Sequence, residues 1–206
     1  MHALRLRGGR RLEALRGFTD TAAAAAGRLN CAENDVILLD DLRAKQALYS
    51  QHGQQCSLLR AALSDGTLAV LLYRLQAWLA GMGLGVLALL PHLVNKWLNG
   101  CVIGVRARFG PGLVLIHPIG VVINSAVQGG RNVWIESSVV IGENRGAFPR
   151  LGDDVFIGSG AKIIGGVRIG KGARIGANAV VLHDVGDGET AVGIPARTRP
   201  STRADG

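Results

Sequence analysis

Residues 151–181 read LGDDVFIGSGAKIIGGVRIGKGARIGANAVV, and an aliphatic side chain returns every six positions, at Leu151, Ile157, Ile163, Ile169, Ile175 and Val181. Glycine follows directly at Gly152, Gly158, Gly170 and Gly176. A period of six fits neither an α-helix, whose faces repeat near 3.6 residues, nor a simple alternating strand. It fits a short strand plus a turn. Three such units close one triangular coil, and stacked coils share one aliphatic core. Glycine at this frequency is also costly in a helix interior.

Carried backwards, the same phase meets Ile103, Phe109, Leu115, Val121, Val127, Val133 and Val139 and misses once, at Arg145. Thirteen of the 14 positions are apolar in a chain that is 48% hydrophobic, so composition alone does not explain the pattern. The fold expected is mainly β: a left-handed parallel β-helix of hexapeptide repeats over residues 101–185, preceded by an α-helical region. Each aliphatic should stack on another three hexads, 18 residues, away. The miss falls in Gly142-Glu143-Asn144-Arg145-Gly146-Ala147-Phe148-Pro149-Arg150, read as a loop over 142–150 that leaves one corner of the prism without changing its register. Loops of that kind on rigid scaffolds often carry function.

Upstream, residues 67–98 read as two apolar helices with a break at Gly81, Gly83 and Gly85. Ser64-Asp65-Gly66 before them is a turn signal and a candidate N-cap. Residues 35–100 form the helical region, 1–34 a poorly specified N-terminal segment and 186–206 a C-terminal tail. The Arg-rich, Ala-rich start lacks the continuous apolar core of a secretory signal. Leu75–Asn95 carries no charge and is about long enough to span a bilayer. Gln76, Pro91, His92 and the three glycines interrupt it, so a buried or oligomer-forming helical pair is favoured and peripheral membrane contact stays open.

The chain has 206 residues and a formal charge of +8, a balance that suits an anionic partner. No recognition helix, zinc finger or aromatic–basic sheet motif points to nucleic acid. Three widely spaced cysteines, Cys31, Cys56 and Cys101, suit a reducing, cytoplasmic setting without disulfides or a metal site. No nucleophile elbow, P-loop or dinucleotide fingerprint is present, so any group transfer is direct, from carrier to acceptor. Only His117 and His183 lie within the repeat, too few for the three-histidine zinc site of a β-helix hydratase. His183 beside Asp184 reads as a surface residue. His117, in an Ile-His-Pro-Ile-Gly turn, projects from a corner and suits proton abstraction from a hydroxyl near neutral pH. A plain turn histidine is an equal alternative.

The stretches FGPGLVLIHPIGVVI (109–123), IGSGAKIIGGVRIGKGARIGANAVVLHDV (157–185) and AVGIPAR (191–197), with the helical lead-in LLYRLQAWLAGMG (71–83), resemble the serine O-acetyltransferase group of hexapeptide acyltransferases. The resemblance covers about residues 66–199. It implies acetyl-CoA as co-substrate, no metal, and a homotrimer or a dimer of trimers with acetyl-CoA in grooves between adjacent β-helices. His117 matches the general base. Backbone amides near Gly142 are candidates to stabilise the oxyanion. Ser159, Gly160, Ala177 and Ala179 match small positions along the pantetheine arm. Gly193, Ala196 and Arg197 match the segment that closes over the cofactor, and Lys162, with Lys171 and Arg174, offers charge to its phosphates.

Departures fall on the acceptor side. Ile116 stands where the family has an aspartate before the histidine, Val102 where it has the orienting carboxylate, and Ala147-Phe148 where it has an Arg-His pair. The acceptor is therefore L-serine or, given these replacements, a sugar hydroxyl of an envelope polysaccharide. Glu136 and Glu143 are candidates for the missing carboxylate. A catalytically inactive β-helix scaffold that binds a partner is the alternative class.

Overall fold

The computed structural model describes residues 31–51, 53 and 56–200. The targeting-segment question at residues 1–30 therefore falls outside the described residues. Among the described residues four helices precede the strands: α1 (Cys31–Gln51), α2 (Leu58–Leu63), α3 (Thr67–Gly81) and α4 (Leu89–Asn99). Ser57 caps α2 by accepting the Arg60 amide on its hydroxyl. The Ser64–Gly66 turn does not N-cap α3 through a side chain. Ser64 instead closes α2, and α3 starts from Gly66 in a left-handed conformation, φ 80°. Gly66 presses on the Leu115 backbone, where a Cβ would overlap the carbonyl oxygen. That contact requires glycine and sets the geometry of the turn.

Fifteen short strands follow among the described residues, and those of the solenoid are parallel. The first sheet holds β1 (Val102–Ile103), β4 (Val122–Ile123), β7 (Val140–Gly142), β10 (Lys162–Ile164) and β13 (Val180–Val181). The second holds β2 (Arg108–Phe109), β5 (Gln128–Gly129), β8 (Arg150–Leu151) and β11 (Arg168–Ile169). The third holds β3 (Val114–Leu115), β6 (Trp134–Ile135), β9 (Phe156–Ile157), β12 (Arg174–Ile175) and β14 (Glu189–Val192), with β15 (Arg197–Pro200) added antiparallel. The chain visits the three sheets in turn, which makes a three-sided left-handed β-helix.

All 13 apolar positions of the six-residue phase are buried. Their stacking, however, departs from a uniform 18. Ile103 pairs with Ile123 and Leu115 with Ile135, a step of 20. Ile135 pairs with Ile157 and Ile141 with Ile163, a step of 22. Leu151–Ile169 and Ile157–Ile175 then keep a step of 18. The corner after β3 is thus two residues longer than standard, and the corner after β7 four residues longer. Together they add one whole hexad, so the phase before 116 matches the phase after 150 and the first insertion is hidden. Between the two, the inward strand positions are Ile123, Gly129, Ile135 and Ile141. Val121, Val127, Val133 and Val139 are the buried residues two before them. At Gly129 the Phe109 ring fills the space that a side chain would take.

The helices sit on the first coil. Tyr73 donates its hydroxyl to the Ala107 carbonyl and accepts the Phe109 amide. Buried Asp41 accepts two bonds from Arg74, at 2.9 Å each, and the Gly112 and Leu113 amides at 2.8 Å. Burial raises the Asp41 carboxyl while Arg74 and the amides oppose that shift. Arg74 also reaches the Phe109 and Gly110 carbonyls, locking α1 and α3 to the β-helix. Helix α4 is amphipathic in the reverse sense. Pro91 and Asn95 are buried against the protein, while Leu90, Leu93, Val94, Trp97 and Leu98 are exposed. Among the described residues no helix is long and apolar enough to cross a membrane.

Candidate functional site

The two-residue insertion after β3 forms the corner that carries His117, between the third and first sheets. Later coils stack on it through backbone bonds from Ser138 to Ile119, Gly160 to Ser137 and Asn178 to Ser159. His117, Ser159, Gly160 and Ala177 therefore share one edge of the prism. Strands repeat about every 4.8 Å, so the three steps from the His117 coil to the Ala177 coil span about 14 Å. The Gly193–Ala196 turn closes the same edge, with Gly193 accepting from the Val180 amide and Ala196 donating to the Val180 carbonyl. Lys162 bends onto the edge and donates to the Ser138 and Gly160 carbonyls, at 3.0 and 2.7 Å.

Other expected residues lie elsewhere. Ala179 is fully buried, because its position faces the core, and its side chain cannot line a groove. Gly142 ends β7 at the far edge of the first sheet, where Asn144 and Ala147 pair as a tight hairpin. Within one chain that loop stands across the sheet from His117. Arg197 is exposed at the start of β15. Arg174 stacks over Phe156 at 4.7 Å, and Lys171 reaches Asp154 at 4.0 Å. Arg174 and Phe156 line a separate groove of about 630 Å³ between α1 and the third sheet, and His117 is not among its lining residues.

The His117 Nδ1 atom lies 3.4 Å from an Asp65 carboxylate oxygen, with the two side chains 61% and 77% exposed. No protein group binds its Nε2 among the described residues. Asp65 belongs to the turn that Gly66 presses on Leu115. Buried Lys45 donates to the Asp65 carbonyl and, at 2.9 Å, to the Thr67 hydroxyl. Burial pushes the Lys45 amine down to about 8.

Neither carboxylate expected beside His117 is free for it. Glu136 accepts the Ser159 amide and hydroxyl, and Glu143 accepts the Gly146 amide within its own loop. Sequence reasoning identifies Asp65 only as a turn residue. A signal is present nonetheless: no Asp or Glu occurs from Gly66 to Ile135, the stretch that contains His117. Among the described residues no three His, Cys, Asp or Glu side chains converge as a metal set.

The six-repeat model of the bacterial transferase hexapeptide family matches residues 148–183. The serine acetyltransferase of Bacillus licheniformis is 41% identical over 95 residues, covering 44% of each chain. A serine acetyltransferase structure in complex with CoA superposes with a TM-score of 0.76 at 28% identity, over 82% of this chain and 71% of that one. Soybean serine acetyltransferase complexed with serine gives a TM-score of 0.73 at 33% identity, over 81% of this chain and 69% of that one. The chain spans about half the length of the curated relatives it matches.

Proposed function

Since the chain belongs to the serine O-acetyltransferase-like family of hexapeptide-repeat proteins, we propose that it is an acetyl-CoA-dependent O-acetyltransferase with His117 as general base. The observation that carries this reading is the edge on which His117, the small residues Ser159, Gly160 and Ala177, and the Gly193–Ala196 turn are stacked. Small side chains there leave room for a thin pantetheine arm, and the Lys162 ammonium meets the charge of the phosphates.

Acetyl-CoA supplies the acyl thioester. His117 Nε2 takes the proton as the acceptor O–H breaks and the new oxygen–acyl bond forms. The C–S bond then breaks, and the same proton passes to the departing thiolate. Arg197, at the exposed start of β15, stands beyond the closing turn as a further cation.

Gly142 and its loop serve a neighbouring copy in this reading, because they face away from their own His117. A homotrimer, alone or paired, would bring loop and corner together. The apolar outer face of α4 supports such assembly, and its Trp97–Lys96 end also suits contact with an anionic membrane surface. A reducing cytoplasm suits the buried free thiols Cys56 and Cys101. At Val102, Ile116, Ala147 and Phe148 no charge is available for an amino-acid zwitterion. That favours a sugar hydroxyl over L-serine as acceptor.

The test is thiol release from acetyl-CoA against a panel of L-serine and neutral sugars. Turnover with a sugar but not with serine supports the reading, and brisk serine turnover removes the sugar. No release with any acceptor, from a chain that binds CoA or not, leaves an inactive scaffold.

A further inference from the structure

We infer that Asp65 is the positioning residue for His117, a carboxylate delivered by the helical region in place of one on the β-helix. The inference rests on the reading of His117 as the base. Three independent features bring the main chain of the Asp65 turn and the His117 corner together. Gly66 seats the turn on Leu115, two residues before His117, at a contact that excludes any Cβ. Lys45, a buried amine, is committed to the Asp65 carbonyl and the Thr67 hydroxyl, while Thr67 in turn donates to the Ala61 carbonyl at 2.7 Å. The corner after β3 is two residues longer than standard, which carries His117 outward to the turn.

Burying a lysine on backbone and hydroxyl oxygens is costly, so this one has a structural task. It fixes the main chain of Asp65 and leaves the carboxylate to His117. The alternatives are absent or engaged. Val102 and Ile116 carry no charge, Glu136 is held by Ser159, and Glu143 is held by Gly146. By accepting Nδ1–H, Asp65 would fix the tautomer whose Nε2 lone pair faces the acceptor, and stabilise the imidazolium as the hydroxyl proton arrives.

The experiment is ¹⁵N NMR of the His117 ring in the full chain, at a pH where the ring is neutral, together with steady-state kinetics. Wild type should show the Nδ1–H tautomer. Asp65→Ala, and Asp65→Asn as a second variant that keeps the shape of the turn, should shift it toward Nε2–H. Their kcat should fall about tenfold or more, with KM for both substrates within about twofold, and Asp65→Glu should recover part of the loss. An unchanged tautomer in Asp65→Ala, or kcat within twofold of wild type, overturns the inference. Full activity in Asp65→Ala with none in His117→Ala overturns Asp65 alone. If the wild type transfers no acetyl group, the functional reading fails, and the tautomer measurement still decides whether Asp65 holds the ring.

Discussion

Replacing Gly66 with alanine should damage both stability and catalysis, through one contact. A Cβ at Gly66 would overlap the Leu115 carbonyl oxygen. The left-handed φ of 80° adds about 1 kcal/mol for a residue with a side chain. Relieving the overlap requires the turn to withdraw by roughly 1 Å, at the overpacking cost of about 1–3 kcal/mol. The total is about 2–4 kcal/mol, which for a chain of this size lowers Tm by roughly 5–15 °C. The same withdrawal carries Asp65 further from His117 than the present 3.4 Å, too far to hold the ring. Gly66→Ala should therefore lose about as much kcat as Asp65→Ala. Gly53 is the control, since it has φ +73° and no atom lies within 4 Å of the place a Cβ would occupy. Gly53→Ala should cost about 1 kcal/mol and leave kcat unchanged. Differential scanning fluorimetry and CoA-release kinetics read both effects. Equal Tm losses in the two variants, or full kcat in Gly66→Ala, would refute the reasoning.

Other consequences follow from the same packing. Lys45 has a folded-state value of about 8 against an ordinary 10.5, so the unfolded chain binds more protons between those values and stability rises with pH there. From pH 8 to 9 the gain is about 1 kcal/mol in urea denaturation, and Lys45→Met should abolish that slope. Cys101, pushed up to about 12 by burial, acts in the opposite sense above pH 9. Gly129→Leu should destabilise by about 1–3 kcal/mol by striking the Phe109 ring, and Phe109→Ala on the same chain should recover much of the loss. Trp97→Glu with Leu98→Glu, at side chains 80% and 70% exposed, should leave the fold intact but convert an assembly of about 65 kDa to single chains of 21.6 kDa in light scattering. An unchanged mass would remove α4 from the interface.

Much of the architecture is legible in the sequence because the β-helix repeats one physical requirement, an inward aliphatic every hexad. The helix break at Gly81–Gly85 and the loop after Gly142 can be read the same way. The two-residue insertion at 116–121 cannot. A hexad has two buried positions, both apolar here, so a slip of two exchanges Val121 for Ile123 without exposing a polar residue. The four-residue insertion near Gly142 then restores the phase. Ala179 misleads for a related reason: a small residue is equally suited to a groove and to a crowded core corner. Asp65 is marked in the sequence only by the lack of any carboxylate from Gly66 to Ile135, because its relation to His117 is tertiary, built by Gly66 and Lys45 across 52 positions of chain. Nothing local in Ser-Asp-Gly distinguishes a turn from a carboxylate placed for catalysis.

The most direct test of the central claim is CoA release by His117→Ala, compared with wild type on the best acceptor of the panel. Because the His117 side chain is 61% exposed, the Tm of the variant should stay within about 1 °C of wild type. Its kcat/KM should fall by about 100-fold or more, with acetyl-CoA binding retained. Activity within twofold of wild type in the folded variant would contradict the account and return His117 to an ordinary turn residue.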